Sequence, residues 1–141
     1  MMRAYTRIMS PRCYCIRLRQ ATRRLNAFYD QALAPLGITI AQYSLLRMIE
    51  RHQPISLTEL GRLAELDRST IGRNVRVLER QGLAALGPGK ADQREAMVTL
   101  SEPGRAVLEA SIPVWDECQR ALEARLGPDR LRAFEEVLDA V

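Results

Sequence analysis

The chain has 141 residues, 47% hydrophobic and 5% aromatic, with a formal net charge of +4 and a pI near 9.3. This is the size of one domain, with a core mostly of Leu, Ile, Val and Ala, a mixture that favours helices. No run of 18 apolar residues exists, so we expect no membrane segment. The N-terminus lacks the apolar core of a secretory signal, and the three cysteines do not form a disulfide framework. We therefore expect a cytoplasmic protein.

The N-terminal part is basic, with seven arginines against one aspartate in residues 1–30. Residues 1–12 show no apolar periodicity and are predicted to form a mobile arm. From residue 13 to residue 33, apolar residues recur at steps of three and four, which predicts a long helix that ends at the Pro-Gly segment 34–37. Thr39 is predicted to cap a second helix that ends before Pro54.

Two short helices separated by a tight turn are predicted next. The first is capped by Ser56 or Thr58, and only Glu65-Leu66 separates it from a helix that starts at Asp67 and ends at Gly82. On a helical wheel, one side of this last helix is apolar, with Ile71, Val75 and Leu78. The opposite side carries the groups that bind phosphates and base edges: Ser69, Arg73, Arg76 and Arg80. This pattern predicts a helix-turn-helix that reads a DNA major groove, although an arginine-rich helix face is by itself often only solvated surface.

A β-hairpin is predicted after Gly82, because segments 83–86 and 96–100 read as strands on either side of a long Gly/Pro-containing tip. The tip carries Lys90 and Arg94, with Asp92 placed to orient the Arg94 guanidinium towards a phosphate or the minor groove. A hairpin attached to a helix-turn-helix is a winged helix. The sequence therefore predicts a mainly α fold with a small β-wing.

The C-terminal part is acidic, with five arginines against nine acids in residues 102–141. It is predicted to form a long helix from residue 101 to residue 126 and a last amphipathic helix from residue 130 to residue 141, with Leu131, Phe134 and Leu138 facing inward. These helices and the first one hold more apolar surface than one winged-helix core needs, which favours a dimer. We therefore expect one domain, 13–141, with dimerisation helices at 13–36 and 101–141 and a DNA-binding lobe at 37–100.

Several segments resemble the MarR family of transcriptional regulators. They are Leu36-Gly37-Ile38-Thr39, Leu57-Thr58-Glu59-Leu60, Asp67-Arg68-Ser69-Thr70, the wing motif Asp92-Gln93-Arg94 and Leu100-Ser101-Glu102-Pro103-Gly104. The resemblance covers nearly all of the chain after residue 12. It implies a winged-helix homodimer whose recognition helices enter successive major grooves of a near-palindromic operator in double-stranded DNA, with half-site centres about 34 Å apart. By that resemblance, Arg68, Ser69, Thr70, Arg73, Asn74 and Arg76 lie on the recognition helix, and Asp92 and Arg94 on the wing.

The cysteines add a second resemblance, to the organic-hydroperoxide-sensing branch of the same family. A reactive cysteine of that branch matches Cys15, and some members join it to a cysteine in the fifth helix of the other subunit, for which Cys118 is the candidate. Tyr29 matches one of two tyrosines that bind the reactive thiol, but Ile40 stands where the second would be. The resemblance thus suggests a repressor released from its operator by an oxidant.

Physical chemistry leaves two interpretations of the thiols open. The start of a helix and the nearby Arg12, Arg17 and Arg19 would favour the thiolate form of Cys13 or Cys15, which makes a cysteine oxidisable. Alternatively, Cys15 and Cys118 are small core residues.

A small aromatic effector is the other sensing route, as in relatives within the family. Tyr14, Phe28, Tyr43 and Trp115 could line its cleft, although aromatic residues at helical spacing are also typical of a core. No metal site is expected, because Cys13-Tyr14-Cys15 has the wrong spacing for a structural zinc pair. The sequence shows no nucleophile paired with a general base and no Gly-rich phosphate-binding loop. It therefore predicts neither an enzyme nor a cofactor. A dimeric protein-interaction module without DNA binding remains the rival class.

Overall fold

A computed structural model describes residues 13–89 and 95–141, and within them the chain forms six α-helices and a small sheet. The elements in chain order are α1 (Tyr14–Leu33), a 3-10 turn (Ala34–Leu36), α2 (Ile40–His52), β1 (Ile55–Ser56), α3 (Leu57–Ala64), α4 (Arg68–Arg80), β2 (Ala84–Pro88), β3 (Ala96–Leu100), α5 (Glu102–Leu126) and α6 (Pro128–Ala140). The predicted fold class, mainly helical with a small β-wing, is confirmed.

The link between α1 and α2 is built from local backbone chemistry. Gly37 has a left-handed backbone with φ of 76°, and it ends the 3-10 turn. Thr39 and Gln42 form a capping box, in which each side chain binds the backbone amide of the other. The Asp30 carboxylate of α1 also accepts a hydrogen bond from the Ile40 amide at 2.7 Å, which ties the start of α2 to α1.

The helix-turn-helix is closely packed at its turn. Ser56 caps α3, and Glu65 takes a left-handed conformation with φ of 53° to reverse the chain. A Cβ atom added to Gly61 would lie 3.0 Å from the Leu66 carbonyl oxygen and 3.3 Å from a methyl group of Ile71. The absence of a side chain at Gly61 therefore lets α3 and α4 approach each other.

The apolar side of α4 lies in the core, as predicted. Ile71, Val75 and Leu78 are fully buried, together with Leu60 of α3 and Val98 of β3. Burying a side chain of this size stabilises the fold by about 1.5–3 kcal/mol each, so the packing fixes which side of α4 faces solvent.

The sheet is antiparallel, with strand order β1-β3-β2. Ile55 pairs with Val98, and Ala84 pairs with Leu100, so the predicted hairpin is present and β1 adds a third strand to it. The tip residues 90–94, which include the predicted DNA contacts Lys90, Asp92 and Arg94, lie outside the described residues. The predicted arm, residues 1–12, also lies outside them.

Helix α5 begins directly against the end of α4 and the start of the wing. Ser101 caps α5, its hydroxyl donates to the Gly82 carbonyl and its amide donates to the Leu83 carbonyl at 3.2 Å. A Cβ atom at Gly104 would lie 1.9 Å from the Leu83 carbonyl oxygen. Only glycine fits there, which gives a physical reason for the Ser-Glu-Pro-Gly segment.

Apolar side chains of the terminal helices stay exposed in the single chain. Leu138 was predicted to face inward, but 45% of it is exposed, and Val137 is 56% exposed. The inward prediction for Leu138 is wrong for one chain, because α5 is the only element of the described residues against which α6 packs extensively. Among the described residues, no helix is by itself long and apolar enough to cross a membrane, although α1 with its 3-10 extension and α2 would reach that length and composition as a pair bent by 71°.

Candidate nucleic-acid interface

The first turn of α4 is organised by Asp67. Its carboxylate accepts a hydrogen bond from the Thr70 amide at 2.7 Å and one from the Ser69 hydroxyl at 2.8 Å. These bonds, the Thr70 backbone bond first, lower the pKa of Asp67 to about 2. The cap therefore stays ionised in neutral solution, and it orients the Ser69 side chain.

The outward side of α4 is the basic surface that the sequence predicted. Arg68, Ser69, Arg73 and Arg76 are exposed, while Thr70 and Asn74 are half-buried at its edges. None of the arginines has an ion-pair partner within the described residues. Their guanidinium groups are thus available for phosphates or guanine edges.

A contact between two glutamines that were not predicted as site residues lies beside this surface. Gln42 at the start of α2 donates through Nε2 to Oε1 of Gln81 at 2.9 Å, across the end of α4. A small depression beside this contact is lined by Thr39, Asn74 and Val77, among others. No sequence signal marks the Gln42–Gln81 contact, because the two residues are 39 positions apart.

One exposed cation of the helix-turn-helix is already neutralised. The Arg62 guanidinium of α3 binds both carboxylate oxygens of Glu59, which raises the pKa of Arg62 and lowers that of Glu59. Because the neighbouring α3 surface is neutralised in this way, the unpaired positive charge of the motif is concentrated on α4.

The cysteines lie at two distant places. Cys13 and Cys15 are exposed at the start of α1, whereas Cys118 is buried in α5. Burial, followed by the neighbouring Glu117 carboxylate, raises the pKa of the Cys118 thiol. In the single chain Cys118 is therefore held as a neutral thiol, and only Cys13 and Cys15 are exposed to solvent.

Within one chain, the hydrogen-bond partner of Tyr29 is a glutamine of α5. Its hydroxyl donates to Oε1 of Gln119 at 2.6 Å, and burial, the adjacent Cys118 and Glu123 raise its pKa. Tyr29 follows Cys15 by 14 residues on one helix, a distance of about 21 Å. Within one chain, then, Tyr29 lies beside Cys118 and cannot reach Cys15.

The four aromatic residues proposed for one ligand cleft do not lie together. Tyr43 and Trp115 stack with centroids 5.8 Å apart, and they line a groove with Arg47 and Arg51. Phe28 lies in another depression, between α1 and α5, and Tyr14 is 81% exposed at the start of α1. The proposed cleft is therefore reduced to Tyr43 and Trp115.

No group of three or more His, Cys, Asp or Glu side chains that could hold a metal ion occurs in residues 13–89 and 95–141.

The arrangement of α2, α3, α4 and the β2-β3 hairpin defines a winged helix-turn-helix protein. A sequence model described as the MarR family matches residues 36–95. The transcriptional repressor NicR of Pseudomonas putida is 33% identical over 120 residues, which cover 85% of this chain and 73% of NicR. The organic hydroperoxide resistance transcriptional regulator of Bacillus subtilis is 26% identical over 71% of this chain and 68% of its own length.

Solved structures agree with these sequence matches. The M. tuberculosis transcriptional regulator MosR in complex with DNA superimposes with a TM-score of 0.79 at 35% identity, covering 89% of this chain and 92% of that one. The chain belongs to the MarR family of winged helix-turn-helix transcriptional regulators. These relatives are regulators and not enzymes.

Proposed function

We propose that the protein is a homodimeric repressor that binds a near-palindromic operator through α4. The observation that carries this proposal is the exposed, unpaired arginine face of α4 opposite a fully buried apolar face. The proposed contacts are Arg68, Ser69, Thr70, Arg73, Asn74 and Arg76 on α4, and Lys90, Asp92 and Arg94 on the wing. The α4 contacts would read the major groove and the wing contacts would reach the flanking minor groove.

The second copy is proposed from the apolar surface of α1, α5 and α6. Two depressions of about 520 and 510 Å³ border these helices, and both are lined by Leu25 and Leu122. Such a surface is unfavourable in water, and a two-fold dimer would cover it on both copies at once.

DNA binding is tested by fluorescence anisotropy on duplexes from the region upstream of the gene, at 50–200 mM salt. A protein that contacts six to ten phosphates loses about 10³–10⁵ in affinity across this range. Arg73→Ala should weaken operator binding by about 30-fold per half-site, which corresponds to about 2 kcal/mol. Arg120→Ala, an exposed arginine of α5, is the control and should not change it. Salt-independent affinity, or no binding to any fragment, would favour the interaction module instead.

Release by cysteine oxidation is proposed from the exposure of Cys15 and the position of Cys118. The Cys15 thiolate would attack a hydroperoxide, breaking the O–O bond to give a sulfenic acid and an alcohol. The Cys118 thiol would then displace water and form a disulfide. Because Cys118 lies beside Tyr29, about 21 Å along α1 from Cys15, the thiol must come from the second copy.

A non-reducing gel after hydroperoxide treatment tests this route. The wild type should give a dimer-sized band and lose its operator, and Cys118→Ser should remain a monomer band. Cys13→Ser serves as the control for the neighbouring thiol and should still cross-link. Oxidised wild type that runs as a monomer and keeps its operator would reject the route.

A planar aromatic anion is the second candidate effector, favoured by the groove at Tyr43 and Trp115. The rings of Tyr43 and Trp115 can stack on the ligand, and Arg51 supplies positive charge at the rim, whereas Arg47 is paired with Glu50. Trp115 is the only tryptophan in the chain, so its fluorescence reports on this groove. Hydroxylated aromatic carboxylates should quench it, and Arg51→Ala should weaken the effect, whereas unchanged fluorescence with every compound would exclude the groove.

A further inference from the structure

Two helices of the proposed dimer surface carry opposite charges. Helix α1 contains Arg17, Arg19, Arg23 and Arg24 against Asp30 alone, whereas α6 contains Asp129, Glu135, Glu136 and Asp139 against Arg130 and Arg132. Within residues 13–89 and 95–141, the two ion pairs lie elsewhere, on α2 and α3. The charges of α1 and α6 are thus left unpaired by the fold of the described chain.

The depression between α1 and α5 combines positive charge with an apolar floor. Arg24 and Arg125 stand at its rim, and Leu25, Phe28 and Leu122 contribute to its lining. No acidic side chain lines it. An apolar side chain flanked by carboxylates therefore matches it in both shape and charge.

Helix α6 presents such a combination. Leu138 is 45% exposed, and Glu135 and Asp139 lie three residues before it and one residue after it. Glu135 and Asp139 are also one turn apart, about 6 Å along the axis, so both carboxylates border the same part of the helix surface. Glu136 lies about 160° from Leu138 on the helical wheel, on the side of α6 opposite to the side chain that would enter the depression.

We propose that Glu135 and Asp139 of the second copy bind Arg24 and Arg125, with the second copy's Leu138 in the depression. The inference rests on the proposed homodimer and adds the charges that select its partner. In a two-fold dimer the contact forms twice, because each copy offers both halves. Pairing α1 with α1 would instead bring arginines together, so the charges also select against that arrangement.

Charge reversal tests the pairing in the full-length protein. Arg24→Glu with Arg125→Glu should weaken self-association by about tenfold or more at low salt. The new carboxylates in the depression would repel the carboxylates of the second copy. Glu135→Arg with Asp139→Arg should weaken it similarly. Sedimentation velocity measures the association, and circular dichroism checks that each variant keeps its helix content.

Mixing the two variants gives the decisive result. In a mixed dimer one contact has both signs reversed and the other is unchanged, so opposite charges meet at both. The mixture should therefore restore the wild-type association constant. The controls are Arg23→Glu and Glu136→Arg, neighbouring charges outside the proposed contact, and neither should change association by more than about twofold.

The outcomes separate this inference from the dimer on which it rests. A wild type that stays monomeric at tens of micromolar would overturn the homodimer itself. A dimeric wild type whose reversed variants associate normally, or whose mixture does not recover, would overturn the charge pairing and leave the homodimer standing. If the mixed variants associate only after an acidic protein is added, the pairing between copies is overturned as well.

Discussion

At the scale of single residues, Asp67 determines how α4, the proposed recognition helix, begins. Its carboxylate is exposed, yet two hydrogen bonds from the first turn of α4 hold its pKa near 2. The folded pKa lies below the ordinary value of 3.8, so the cap stabilises the protein fully above about pH 4. That stabilisation is lost as the pH falls towards 2.

Asp67→Ala should therefore lower the Tm by about 4 °C at pH 6, and the difference from the wild type should shrink between pH 4 and pH 2. Thermal melts followed by circular dichroism measure it. Asp67→Asn keeps a capping oxygen without a titrating group, so its advantage over Asp67→Ala should not depend on pH in this window. A wild-type advantage over Asp67→Ala that is undiminished at pH 2 would show that the carboxylate charge is not what stabilises the cap.

Gly104 is the residue where α5 touches the chain after α4. The Leu83 carbonyl oxygen occupies the space of a Cβ atom there, and the Ser101 amide holds that carbonyl in place. Gly104→Ala should lower the free energy of unfolding by about 3 kcal/mol, measured by urea denaturation. Gly87→Ala adds its methyl group to open space and is the matched control, with an expected change below about 1 kcal/mol. Equal costs at both positions would mean that α5 shifts to accommodate the methyl group.

Sequence alone could predict the residues whose chemistry is local. Thr39, Asp67 and Ser101 were all identifiable as helix caps or helix starts, because a cap depends on the next three residues. The Tyr29–Gln119 hydrogen bond spans 90 positions and depends on how α1 packs against α5. No local pattern encodes such a contact, so the family resemblance assigned Tyr29 a thiol partner that the single chain does not provide.

At the scale of helices and strands, hydrogen bonds connect the C-terminal end of α4 to α2 and to the start of α5. Its C-terminal end contacts α2 through Gln81 and Gln42, and the residues that follow it contact Ser101. Since Gln42 also belongs to the α2 capping box, and Asp30 of α1 binds the first amide of α2, hydrogen bonds connect α1 to the end of α4. We expect this brace to keep the arginine face at a fixed angle to the long helices.

Gln81→Ala removes the brace and leaves the capping box intact. Operator affinity should fall by about threefold, the value of one exposed hydrogen bond, and its salt dependence should not change because no phosphate contact is lost. Anisotropy titrations at several salt concentrations measure both quantities, with Gln31→Ala, an exposed glutamine of α1, as the control. A smaller salt slope would instead identify Gln81 as a phosphate contact, and unchanged affinity would show that the brace is dispensable.

Periodicity predicted the elements well because amphipathic helices and alternating strands follow from burial of one face. The turn after α3 and the hairpin strands were also recognisable, from short polar turns and from Gly and Pro. The prediction for Leu138 was wrong because periodicity shows which side of a helix is apolar and not what covers it. In the proposed dimer that apolar side would be covered by a second copy.

At the scale of the whole molecule, the proposed function depends on the distance between two α4 helices. Each α4 is fixed to α5 through the Gly104 contact and to α1 through α2, and these long helices carry the proposed dimer surface. The described packing therefore connects the proposed dimer contact rigidly to the proposed DNA-binding face of each α4. A rigid pair binds two half-sites only when they lie on the same side of the duplex, about one helical turn apart.

Changing the operator spacing tests that geometry directly. Five base pairs inserted between the half-sites rotate one of them by about half a turn, so a rigid dimer can hold only one half-site, and affinity should fall by about 100-fold. The same five base pairs placed outside the operator keep duplex length and composition equal and should leave affinity unchanged. Electrophoretic mobility shift titrations measure both. Equal affinity for the two duplexes would mean that the α4 helices bind independently, and the homodimeric reader of a palindrome would have to be abandoned.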